Sequence, residues 1–259
     1  MGFFNNYDRP GAGISKNQNE TVTQVFFGVL GRKFFKFMQL GIMHCLLNLP
    51  LLMIYIMLYP SGSDDLALRY IFSICALLHL ATVGLGFFAP GFVYVLRNFS
   101  REEHAYVMSD FFGNIKDNFR QSFVVFLIDT AMTYIFYLVL VFYFTTTQAG
   151  AYISIARFFV ISLALFYVMM HFYIYQIMVT FKMPLRQIFK NSFILTVVFL
   201  PQNTLILLAA AAVSVVTFFI SIPLGVFVSL FFSVFFIGYI TTFFTQRIVK
   251  KYTATEEEE

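Results

Sequence analysis

Residues 122–144 read SFVVFLIDTAMTYIFYLVLVFYF, an apolar run with one carboxylate, Asp129, and no basic residue. About 20 such residues are what an α-helix needs to cross the roughly 30 Å hydrocarbon core of a bilayer. Five more stretches qualify: 34–59, 70–96, 152–181, 193–219 and 222–246. The polar turn 59–65, the short loop 145–150 and the Pro-Gly turn 221–225 separate neighbours. The whole chain has the same character. Of its 259 residues 59% are hydrophobic and 12% charged, with 37 Phe and no Trp. A soluble domain carries about twice that share of charge. The expected fold is an all-α membrane protein, a six-span helical bundle.

Orientation follows from the basic residues, which collect in cytoplasmic loops. With six spans, one set of connections holds fifteen of the seventeen Lys and Arg, from Arg9 to Lys251. The opposite set holds Arg69, and Arg157 lies just inside the fourth span. Both termini are expected in the cytoplasm of a bacterial cell, with the chain a multi-pass protein of the plasma membrane. This places a cytoplasmic N-terminal arm at 1–33, a membrane domain at 34–246 and an acidic cytoplasmic tail at 247–259. The net charge of +4 then reflects topology and not nucleic-acid binding, since no basic cluster accompanies a nucleic-acid fold signature. The start has Asn6 where a myristoylation signal takes Ser or Thr, and no apolar signal-peptide core follows. Asn19-Glu20-Thr21 is a sequon on the cytoplasmic side and is read as chance. Cys45 and Cys75 read as reduced packing residues inside spans.

Residues 115–123 and 185–193 share a pattern of apolar, basic, two variable, Phe, basic, amide, Ser, Phe. With a fainter echo at Phe35-Lys36, this fits three parallel two-span repeats, or a common preference of helix starts for Phe and Lys. In the longest lead-in, 97–121, Met108, Phe111, Phe112, Ile115 and Phe119 recur at the spacing of one helical face. Ser100 and Glu103 have capping-box spacing. The spacing predicts an interfacial elbow helix, serving either as a brace or as a docking surface. Its candidate contact residues are Arg97, Asn98, Arg101, Glu102, Asp110, Phe111, Lys116 and Asn118. The mixed charge argues against a purely lipid-anchoring helix.

The run Phe88-Ala89-Pro90-Gly91-Phe92-Val93-Tyr94-Val95-Leu96-Arg97-Asn98-Phe99-Ser100-Arg101-Glu102-Glu103, continued by Ser109-Asp110-Phe111-Phe112 and Asn118-Phe119, resembles the signature of the YesL family. These are bacterial integral membrane proteins of undefined biochemical function. Ala89-Pro90 stands where the family pattern has Gly-Pro. The resemblance implies an association with carbohydrate uptake through ABC transporters, and hence permease subunits as partners. It brings no enzymatic residues.

Ionisable groups inside spans are costly and are candidates for function. At 1.5 Å per residue, His44, Asp129, His171 and the Gln202–Asn203 pair beside Pro201 lie roughly 10–15 Å from the cytoplasmic end of their spans. They are expected to form one polar layer in which Asp129 accepts from His171 or His44. Such a layer serves interhelical bonding or a proton-linked or substrate-binding site. Arg157 and His79 read as structural. No phosphate-binding loop, metal-ligand spacing, HExxH or Gly-x-Ser-x-Gly occurs. The expectation is a non-enzymatic accessory or regulatory membrane protein without cofactor or metal, associated with a carbohydrate ABC transporter. The alternative is a small-molecule carrier or channel built on the polar layer.

Overall fold

A computed structural model describes residues 21–82, 86–145, 150–219, 228 and 232–256. The N-terminal arm to residue 20, the loop 146–149, the turn 221–225 and the acidic end 257–259 lie outside the described residues, and so does the side chain of His79. The described chain is helical. In order it forms α1 (Val22–Arg32), α2 (Phe34–Leu58), α3 (Leu66–Thr82), a 3-10 turn (Gly86–Phe88) and α4 (Ala89–Ser100). Then come α5 (Val107–Thr145), α6 (Ala151–Thr180), α7 (Leu185–Val198), α8 (Leu200–Phe219) and α9 (Val234–Glu256).

Among the described residues, four helices are long and apolar enough to cross a membrane: α2, α5, α6 and α8. Their outer faces are apolar and exposed, as at Met57 on α2, Phe142 on α5, Phe158 on α6 and Val216 on α8. Exposed apolar area on this scale has to be covered, here by lipid. The expected second span is not one helix. It divides into α3 and α4 around the 3-10 turn, where Gly86 has φ +38°. The expected fifth span also divides, at Phe199, and Pro201 falls in the first turn of α8, where a missing N–H is harmless. The expected tail from 247 continues α9 as helix to Glu256.

The N-terminal arm likewise contains structure that the apolar runs did not announce. Thr21 caps α1 by a capping box: its hydroxyl accepts from the Gln24 N–H and the Gln24 side chain accepts from the Thr21 N–H. Phe26 and Val29 of α1 are buried. Tyr239 of α9 donates to the Phe26 carbonyl at 3.1 Å, so α1 is tied to the last helix.

The core sits at one end of the molecule. Phe37, Phe92, Phe99, Phe111, Phe235, Tyr239 and Phe243 form an aromatic cluster contributed by α2, α4, α5 and α9. A second cluster joins α6, α7 and α9 through Tyr173, Ile177, Ile188, Leu195 and Val249. The short helix α4 is central, with ten of its twelve residues buried. Most bonds between helix ends gather here too. Arg32 pairs with Glu102 at 2.5 Å, and Lys33 donates to the Glu103 carbonyl at 2.9 Å. Burial, followed by the charge of Lys36, lowers the Lys33 pKa below the usual lysine range. At the opposite end Arg69 donates to the Ser61 carbonyl and Arg157 to the Tyr143 carbonyl.

The elbow is resolved differently from its sequence reading. Residues 97–100 close α4, 101–106 turn, and 107–121 are the opening turns of α5, which runs unbroken into the membrane segment. The Ser100–Glu103 capping box is absent, since the Ser100 hydroxyl donates back to the Leu96 carbonyl. Instead α4 ends in a Schellman motif: Glu103 N–H bonds the Asn98 carbonyl, Glu102 N–H the Phe99 carbonyl, and Glu102 sits at φ +61°. A non-glycine residue there costs about 1 kcal/mol. Glu102→Gly is therefore expected to be about 1 kcal/mol more stable than Glu102→Ala. Both lose the Arg32 pair, so thermal unfolding of the two in detergent isolates the backbone term.

Candidate functional site

About two turns into the apolar part of α5, Asp129 is completely buried against α6. Its Oδ1 accepts a short hydrogen bond from the Tyr167 hydroxyl and lies 2.9 Å from His171 Nε2. His171 Nδ1 lies 2.9 Å from the Tyr167 carbonyl. A carbonyl only accepts, so Nδ1 carries a proton. The contact between Nε2 and Oδ1 then needs one proton shared between the two groups. Either an imidazolium faces a carboxylate or a neutral imidazole faces a carboxylic acid. Both forms have zero net charge, which is what a low-dielectric interior favours.

Two neighbouring polar atoms have no partner. Asp129 Oδ2 and the Tyr175 hydroxyl are both buried and unpaired among the described residues, as is the hydroxyl of Ser192 on α7. Each such group costs about 1–3 kcal/mol if left dry. Tyr167, His171 and Tyr175 stand four residues apart on one face of α6. The polar layer read from the sequence did not include the two tyrosines; their spacing around His171 was the available signal.

The expected single polar layer separates into one pair and three residues that stand apart from it and from each other's contacts. Asp129 and His171 meet. Asn203 is buried but belongs to another contact: its Oδ1 accepts from Tyr173 at 2.5 Å, and its amide donates to the Leu195 and Thr196 carbonyls. These carbonyls lie just before the α7–α8 break, so Asn203 serves the helix interruption that Pro201 accompanies. His44 packs on Phe92 and bonds Asn48 within α2. Gln202 is exposed on α8. Equal depth was legible, but helix rotation was not, and rotation decides which groups meet.

The elbow residues also divide. Arg97, Asn98 and Phe111 are buried, with 8%, 4% and 0% exposure, and cannot present themselves to a partner. Arg97 instead donates to the Val179 carbonyl and the Thr180 hydroxyl at the end of α6, and stacks on Tyr94. A cation at a helix C-terminus is favourable. Asp110 accepts from the Tyr106 N–H at the start of α5. Arg101 and Glu102 lie at the surface near Glu103 and Arg32.

Lys116 and Asn118 line a cleft of about 790 Å³ between the first turns of α5 and residues 178–184. Lys116, Arg120 and Lys182 face it with Asp117 as the acid among the lining residues. Gln121 closes one wall by donating to the Met183 carbonyl at 3.0 Å. From the other side Asn191, which holds the amide position of the similar stretch 185–193, donates to the Met183 sulfur. Among the described residues no group of three or more His, Cys, Asp or Glu is placed to hold a metal ion.

Residues 66–140 match the family model described as Protein of unknown function, DUF624, the domain of YesL-like proteins. The matched segment holds α3, α4 and α5 to Leu140, including Asp129 but not His171. No curated protein and no solved structure matches the chain.

Proposed function

We propose that this is a non-enzymatic accessory or regulatory protein of the bacterial plasma membrane, which docks a partner at the cleft beside α5. One observation carries the reading: the polar, net-basic cleft opens beside the helix ends, while the intramembrane carboxylate is sealed at 0% exposure. The carrier or channel alternative needs a hydrated path to Asp129. The lining of the cleft stops at Gln121 on α5 and Met178 on α6, roughly 10–12 Å short of the Asp129–His171 pair. The resemblance to YesL proteins points to permease subunits of a carbohydrate ABC transporter as the partner.

The same reading takes the basic end as cytoplasmic and counts six spans. The segment from α3 into α4 and the one ending in α9 would join the four longer helices. It also keeps the repeat, supported by matched burial: Ser122 and Ser192 are both at 0% exposure, as is Val125, against 2% for Leu195.

A photocrosslinking residue at Lys116, with one at the lipid-facing Phe158 as control, tests the docking site in native membranes. The expected result is a discrete adduct from position 116 containing an ABC permease subunit. Equal adducts from both positions, or lipid alone, would sink the proposal.

A further inference from the structure

We propose that Asp129, His171 and Tyr167 form a proton-binding site in the membrane interior, which exchanges with water through the interface of α5, α6 and α7. It does not rest on the docking of a partner, although its route to water opens at the same cleft. The pair already holds one proton between Asp129 Oδ1 and His171 Nε2, because Nδ1 is committed to the Tyr167 carbonyl. The second carboxylate oxygen, Oδ2, is buried and has no partner among the described residues. An incoming proton forms a bond to Oδ2 and takes the pair from net charge zero to +1. Loss of the shared proton takes it to −1. In both directions the proton is exchanged with water, and no other co-reactant is needed.

Access is the second half of the inference. The Tyr175 ring centroid is 6.3 Å from that of His171. Along α6, Tyr175 stands about 6 Å from His171 and about 4.5 Å from Met178, which lines the cleft. Ser192 faces the same interior from α7, one turn from Ile188 and three residues from Leu195, both in the cluster that contains Tyr175. The unpaired hydroxyl of Tyr175 thus stands along α6 between the cleft and His171, with that of Ser192 on α7 at about the depth of the pair. Buried polar atoms in such a row are the sites where internal water binds.

The charged groups nearest this row stand at its cleft end: Lys116, Asp117, Arg120 and Lys182. Arg97 of α4 is committed to the end of α6. Cys75 of α3 packs with Leu140, toward the other end of α5. No charged side chain of α7 lies on its buried face, since Arg186 and Lys190 are both exposed.

Infrared titration of the full chain in lipid nanodiscs tests the site. Over a scan from about pH 4 to 9, the expected spectrum contains a protonated-carboxyl C=O band that weakens as pH rises, shifts in D2O and is lost in Asp129→Asn. Asparagine keeps an acceptor for Tyr167 at nearly the same volume. The wild-type titration needs no variant: a chain whose carboxyl bands are unmoved by pH in this range and by D2O has no such site. A band that persists in folded Asp129→Asn would also overturn it. Tyr175→Phe is expected to keep the band and slow its deuterium shift several-fold; an unchanged rate would overturn the route.

Discussion

Replacing Gly91 by alanine is expected to lower the stability of the fold by about 3 kcal/mol or more, at the upper end of what overpacking costs. A Cβ at this position would stand 2.2 Å from the Phe111 carbonyl oxygen and 2.9 Å from its carbon. These are backbone atoms of α5, so no side-chain rotation relieves the clash. The two helices would have to separate by about an ångström along a contact where α4 is otherwise buried. Gly113, two residues further along α5, has nothing within 4 Å of the place a methyl group would take. Gly113→Ala should gain about 0.5–1 kcal/mol, because alanine loses less entropy in a helix. Thermal unfolding of both variants in one detergent gives opposite shifts. A Gly91→Ala protein that melts with the wild type would refute the close approach of α4 and α5.

Asp129→Ala should be the second large loss, about 3–5 kcal/mol. It strips the acceptor from the Tyr167 hydroxyl and leaves His171 Nε2 facing an apolar space at complete burial. The cost lies mainly in what remains unpaired, so it should be strongly non-additive. Removing the histidine as well, in Asp129→Ala/His171→Phe, is expected to recover a substantial part of the loss. Asp129→Asn should cost much less than Asp129→Ala. Equal losses from the alanine and asparagine variants would show that the hydrogen bonds contribute little and that shape alone matters there. The wild type and the three variants can be ranked by unfolding in detergent of rising denaturant strength.

Hydropathy was enough to find α2, α5, α6 and α8, because a bilayer imposes a length of apolar chain that little else produces. It could not find the interruption between α3 and α4. A continuous apolar stretch is equally compatible with one helix or two, and residues 70–96 stay apolar across the break. The sign was Gly86, which turns the chain, whereas Gly91 lets α4 and α5 approach closely. Helix α1 escaped for the opposite reason: eleven residues are too short for a span, and only the Thr21–Gln24 capping pattern marks it.

The candidate site was legible in depth and partly in identity. Asp129 and His171 stand out because charge in a span is rare. Their neighbours, Tyr167 and Tyr175, do not, since tyrosine is common in membrane helices. Arg97 and Phe111 illustrate the reverse error. Both lie in the segment of densest family resemblance and looked like surface contacts, yet they lock α4 to α6 and fill the aromatic core. Periodicity gives the face of a helix but not what lies opposite it, and for α5 the opposite element is its own predecessor in sequence.

The unbroken course of α5 has a mechanical consequence. Its 39 residues make a rod of about 58 Å, nearly twice the thickness of the hydrocarbon core. The cleft-lining turns 114–121 lie on its overhang, and the fully buried Asp129 lies closer to its middle. A rod pivoting about a tightly packed middle behaves as a two-armed lever. A sideways push on the overhang displaces the far arm, around Phe142 and Tyr143, in the opposite sense. Because no proline or glycine interrupts α5 beyond Gly113, the stroke has no internal joint in which to dissipate before it reaches that end.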